Sequence, residues 1–214
     1  FLALRYLRSR HKRRLARVTA AAAILGITLG VAALIVAFAL SNGFRDEMRD
    51  KILAGTAHLS VMRSDGLQLS DYSRVTDQLE QVEGVVSASA TTYDGAIASG
   101  TKGSTYAVLR GIEKRSQGAV QPKHWLREGS FDALFEVDKG SMPQAAVGSE
   151  LASRLGLSLG ETVQIIPANS AQATTRHLLV AAIFRSGLFE YDSTWIYLPL
   201  ETVSTFTDSE HTAA

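Results

Sequence analysis

The chain has 214 residues, 46% hydrophobic and 20% charged, with a net charge of +1 and no cysteine. That length allows one ordinary domain plus an appendage, and the missing cysteine excludes disulfides and thiol chemistry. The near-neutral total hides a segregation: residues 1–17 hold seven bases and no acid, leaving 15 of the 22 bases against all 21 acids elsewhere, a net of −6.

In FLALRYLRSR, Phe1, Leu4 and Leu7 recur at helical spacing with Arg5 and Arg8 between them. This suits a short amphipathic helix in a membrane interface. RSRHKRR matches a nucleic-acid patch. Beside the apolar run that follows, Arg10, Lys12, Arg13, Arg14 and Arg17 read instead as a topology anchor attracted to anionic lipid, and no nucleic-acid partner is expected.

Val18 to Leu40 is 23 residues without a charge. As a helix it measures about 35 Å, against a hydrocarbon core of about 30 Å. A buried core helix would keep a polar face. Only Thr19 and Thr28 are polar here, and a threonine hydroxyl can bond back to its own helix. Ala37-Phe38-Ala39 matches a signal-peptidase site, but the apolar run before it exceeds the roughly 7–15 residues a signal peptide uses. A retained span over 18–41 is the reading adopted. The bases before it place 1–17 in the cytoplasm and 42–214 across the membrane. Gly26-x-x-x-Gly30 is spaced for close helix packing.

Residues 42–57 read as a helical connector with Phe44, Met48 and Ile52 on one face, and Asn42-Gly43 predicts a break at the membrane surface. Residues 58–214 read as an α+β domain on a mixed sheet. HLSVMR (58–63) alternates like a strand. Asp71 or Ser73 is placed to cap a helix carrying Val75, Leu79 and Val82 that stops at Gly84. Strands are predicted from Val85 (VVSASATTY), over Thr105 to Ile112, Gln144 to Val147 and Thr162 to Ile166, in HLLVAAIF and in TWIYL. Ser149 is placed as the N-cap of a helix carrying Leu151 and Leu155, with Gly156 ending it.

Gly156-Leu157-Ser158-Leu159-Gly160 matches G-x-S-x-G, but a hydrolase elbow needs a strand before the serine and a helix after it, the reverse of the order here. The sequence has no H-E-x-x-H and no phosphate loop, and its five histidines are scattered. We therefore expect no catalytic residues, metal or cofactor in this chain; ATP, where used, belongs to another chain. Two stretches are candidate partner contacts. PANSAQATTRH (Pro167 to His177) is a long polar loop, either merely solvated or a docking loop through Asn169 and Arg176. RSGLFEYDSTWIY clusters Phe189, Tyr191 and Trp195 around Glu190 and Asp192, as core or as a contact surface.

The order of basic leader, GITLGVAALIV and SNGFRDEMRDKILAGTAHLSV resembles the membrane subunits of the lipoprotein-releasing Lol ABC transporter (LolC/LolE type). VGSELASRLGLSLGETVQI and IFRSGLFEYDSTWIYLPLET resemble that family's periplasmic core, shared with MacB-like permeases. The resemblance implies an inner-membrane permease subunit of four spans, paired with a second permease subunit and driven by a cytoplasmic ATPase dimer that binds ATP and Mg. It implies release of acylated lipoproteins to a periplasmic carrier, with Leu29, Leu34, Ile35 and Phe38 lining the acyl-chain cavity. Spans two to four would lie outside these residues. Where the carrier-binding subunit type projects a long hairpin, the Pro167–His177 loop is shorter and lacks large apolar residues. That points to lipoprotein entry or to a homodimeric relative. The alternatives are a MacB- or FtsX-type permease that exports another amphiphile or transmits force, and a single-span anchored binding module.

Overall fold

The uncharged run forms the middle of one helix, α1 (Arg14–Gly55), 42 residues long and so about 63 Å from end to end. In this computed structural model residues 14–55, 57–62, 69, 71–114, 125–136, 141–168 and 174–206 are described. Two compact units are present, Phe1–Asp50 and Lys51–Ala214.

In the first unit, the large apolar side chains from Val18 to Leu40 are 52–74% exposed. The stretch Arg17–Arg49 is long and apolar enough to cross a membrane, and none of it is buried by protein. Water does not tolerate an apolar surface that wraps all sides of a helix; hydrocarbon does. Thr28 Oγ1 donates to the Ile24 carbonyl at 2.8 Å, so this hydroxyl is satisfied within the helix. The break predicted at Asn42-Gly43 does not occur, since α1 continues to Gly55. An internal glycine costs about 1 kcal/mol, and elongating an existing helix absorbs that more readily than nucleating a new one.

In the second unit, residues 57–62 form no strand although HLSVMR alternates; Leu59, Val61 and Met62 are exposed. Alternation defines a strand only when a ladder partner is at hand. Helix α2 (Tyr72–Glu80) follows. It stops before the predicted Gly84, leaving Val82 exposed, and the Asp71 side chain makes no cap bond.

The sheet is built from β1 (Thr91–Gly100), β2 (Gly103–Ile112), β3 (Leu126–Gly129), β4 (Gln144–Gly148), β5 (Thr162–Pro167), β6 (Arg176–Phe184) and β7 (Trp195–Pro199). Between them lie a 3-10 turn (Asp132–Phe135), α3 (Ser149–Leu155) and α4 (Phe189–Thr194), and α5 (Leu200–Phe206) follows β7. The strand order is β3-β6-β4-β7-β2-β1-β5, and β5 also pairs with β6, so six strands close into a ring. β2–β7 and β4–β6 are parallel and the other pairs antiparallel, giving the mixed sheet that the sequence predicts. The strand expected from Val85 starts only at Thr91, because its ladder with β2 ends at the pair Thr91–Ile112.

Each face of the sheet has its own core. Ala96, Ala98, Leu109, Ile196 and Leu198 pack with Leu151 and Leu155 of α3 and Val203 and Phe206 of α5. On the other face Ile112, Phe184, Trp195 and Tyr197 pack with Trp125, Phe131 and Leu134. Gly156 ends α3 in the left-handed region at φ 68, as predicted, and the Leu157 N–H reaches the Ala152 carbonyl at 2.8 Å. The N-cap prediction is corrected. Gly148 is the cap, and Ser149 is the first helical residue, its buried Oγ without a hydrogen-bond partner. β4 passes into α3 without a loop, and a Cβ on Gly148 would run into the Asp192 backbone carbonyl.

That contact generates a prediction. Gly148→Ala should lower stability by about 1–3 kcal/mol, as overpacking does, whereas Gly160→Ala, which meets nothing within 4 Å, should cost only the strain of its positive φ. Urea denaturation of the detergent-solubilised chain, followed by tryptophan fluorescence, measures both.

Candidate functional site

Strand register brings together an aromatic cluster around one buried cation. Tyr93 of β1 and Tyr197 of β7 are the direct partners of Arg110 on β2, so all three side chains share a sheet face. Trp195, two residues from Tyr197, falls on that face as well. The Arg110 guanidinium carbon lies 4.6 Å from the Trp195 ring centre, 4.9 Å from Tyr93 and 5.5 Å from Tyr197. Arg110 is 2% exposed, and its Nη1 donates to the Tyr197 hydroxyl at 3.4 Å. A desolvated cation against ring faces gains about 2 kcal/mol. Tyr191 of α4 stacks on Trp195 at 3.7 Å and 16°. Tyr93 and Tyr197 meet the same indole edge-on, at 6.4 Å and 5.9 Å.

Asp192 fixes the approach of α4. Its Oδ1 accepts from the Ser186 N–H at 2.6 Å and the Ser186 hydroxyl at 2.8 Å, and its Oδ2 accepts from the Gly187 N–H at 3.2 Å. Gly187 turns at φ 85. The carboxylate is therefore spent inside a turn. Outward from the cluster, Tyr93, Ile97 and Tyr106 are 49%, 44% and 55% exposed, and the Tyr106 ring lies over Gly95. Two tyrosines and an isoleucine are thus exposed beside a buried cation.

The sequence-predicted residues fall in different places. Leu34, Ile35 and Phe38 are exposed on α1; at 100° per residue they share an arc of about 100°, with Leu29 on the opposite side. A Cβ at Gly26 or Gly30 would meet nothing within 4 Å. Arg14 begins α1 and Arg17 is exposed on it, while Arg10, Lys12, Arg13 and Asn169 lie outside the described residues. Arg176, predicted in a loop, opens β6 opposite Ile165, and its guanidinium sits 5.6 Å over the Phe206 ring. That contact ties β6 to α5. The aromatic trio separates: Trp195 is buried, Tyr191 is half-buried against it, and Phe189 is 65% exposed. Ser158 lies in the turn between α3 and β5, where its N–H donates to Glu161 Oε2 at 2.7 Å, so the elbow geometry is absent. Among the described residues no group of three His, Asp or Glu is placed to hold a metal.

Arg110, Tyr93, Ile97 and Tyr106 were missed from sequence. Their signal is two alternating runs, TTYDGAI and STYAVLRGI, around Thr101-Lys102. Folding that hairpin on paper sets Tyr93 opposite Arg110.

Burial holds the Tyr197 hydroxyl protonated well above its ordinary pKa of 10.0, against the opposing charge of Arg110. Burial also raises Tyr191, again opposed by Arg110. A tyrosine in the unfolded chain ionises first, so the stability that Tyr197 contributes is whole below pH 10 and is lost as pH climbs from there toward the folded value. The loss is about 1.4 kcal/mol per pH unit. Between pH 10 and pH 11, Tyr197→Phe should lose less stability than the parent by about 1 kcal/mol, as read from urea midpoints. Arg110→Ala should destabilise more than Arg110→Met, because methionine refills the volume without a charge to bury; equal losses would mean that charge, not packing, holds the cluster.

Comparison with known proteins places this architecture. Residues 20–213 match the MacB-like periplasmic core domain. The chain is 29% identical over 199 residues to the lipoprotein-releasing system transmembrane protein LolC of Xylella fastidiosa (strain Temecula1), covering 89% of this chain and 46% of that protein. It is 26% identical over 220 residues to LolE of Haemophilus influenzae, covering 96% and 50% respectively. The chain thus spans about half the length of these curated relatives. Among solved structures, the periplasmic region of MacB from Actinobacillus actinomycetemcomitans superposes with a TM-score of 0.48 at 18% identity, over 71% of this chain and 65% of that one. The extracellular domain of the ABC-type transporter YknZ superposes with a TM-score of 0.47 at 16% identity, over 68% and 70%. With the family match running from residue 20 to residue 213, the chain belongs to the MacB-like periplasmic core domain family.

Proposed function

We propose that this chain forms part of a permease subunit of an ATP-driven ABC transporter that releases acylated lipoproteins from the outer leaflet of the bacterial inner membrane towards a periplasmic carrier. The observation that carries this reading is the similarity to LolC and LolE over 89% and 96% of the chain, span and domain together. In this reading residues 1–17 are cytoplasmic and 42–214 periplasmic. ATP and Mg are held by a partner ATPase dimer, and a second permease subunit completes the membrane part.

The chemistry demanded of α1 is apolar cover. Drawing a chain of about 16 carbons into water would cost about 13 kcal/mol, at roughly 0.8 kcal/mol per CH₂. Leu34, Ile35 and Phe38, exposed within one arc of α1, offer a surface on which an acyl chain leaves the bilayer without meeting water. The span has nothing to grip a peptide by charge, so selection for the acyl group over the protein part follows from its composition.

Two experiments test the reading. A photo-reactive residue at Leu34 or Phe38, in membranes containing the ATPase, should cross-link acylated lipoprotein, with the yield falling when ATP is added. Leu29, which the resemblance also assigns to the cavity, lies across the helix from these three, and the same probe there should give several-fold less if the acyl contact is confined to their arc. Cross-links to a different amphiphile would favour a MacB-type exporter, and no lipoprotein adduct at either position would overturn the lipoprotein assignment. For orientation, the chain's lack of cysteine makes Lys102→Cys at the exposed β1–β2 turn a clean probe. A membrane-impermeant maleimide should label it from the periplasmic side of intact spheroplasts; labelling only after lysis would reverse the topology.

A further inference from the structure

We draw no further inference here: the strongest candidate, the uncharged outer face of the β1–β2 hairpin where Tyr93, Ile97 and Tyr106 stand exposed beside the Arg110 ring cluster, is an unpartnered apolar sheet face, and nothing in the structure shows what covers it.

Discussion

The ladder between β1 and β2 fixes most of the domain. It runs without a slip from Gly100–Gly103 at the turn to Thr91–Ile112 at the far end. Gly103 takes φ 147 at the turn, which a residue with a side chain rarely adopts. A slip of one residue would send Leu109 and Ala107 to the face of the Trp195 cluster and turn Arg110 toward the face that packs on α3 and α5. It would break both cores, because β2 is also the strand on which β7 docks in parallel. From β7 the order continues through β4 to β6, and β6 returns to β5. Closure leaves few open strand edges, the usual sites of unwanted pairing.

The long apolar helix α1 obeys a different constraint. Its fold is local, since an α-helix closes its backbone hydrogen bonds within itself and the Thr28 hydroxyl bonds back to the Ile24 carbonyl. The helix therefore needs no partner to form, and its side chains remain available for contacts with lipid or another helix. The domain is the opposite case, in which hardly an element is stable alone. α3, α4 and α5 have 7, 6 and 7 residues, below the length at which helices persist in water. α3 and α5 exist because Leu151, Leu155, Val203 and Phe206 are buried on the sheet, and α4 is held by Tyr191 against Trp195 and by the Asp192 bonds to Ser186 and Gly187.

This contrast explains what could be read from the sequence. A helix that carries its own hydrogen bonds depends little on long-range context, so the apolar helix over Val18–Leu40 was plain from composition. Gly156 was legible for a similar reason: a left-handed cap is set by one residue. The strands after Gln144 were legible through their β-branched, alternating or uniformly apolar runs. The failures are places where structure outside the motif itself decided. Ser149 looked like a cap, but the Asp192 backbone fills the space beside Gly148 and moves the helix start by one residue. HLSVMR looked like a strand, yet residues 57–62 have no ladder. Asn42-Gly43 looked like a break, yet helix on both sides carried the chain through it. Arg176 looked like a loop residue and is a strand residue held over Phe206.

Arg110 shows why the candidate surface was the least legible part. Strand alternation marks position 110 as facing the same side as Tyr93, but an arginine there reads as solvent-facing. Its burial follows from three rings contributed by β1 and β7, one of them 87 residues away in sequence. Each ring supplies the electron-rich face that replaces part of the lost hydration. The guanidinium is planar and less strongly hydrated than an ammonium, so it can lie among ring faces where lysine would cost more. In return the cation lends the rings a fixed arrangement: Trp195 is held between Tyr191 on one face and the edges of its neighbours. Rigid rings lose little entropy on contact. The half-exposed Tyr93 at the rim of this cluster therefore stands in a geometry set before any contact is made.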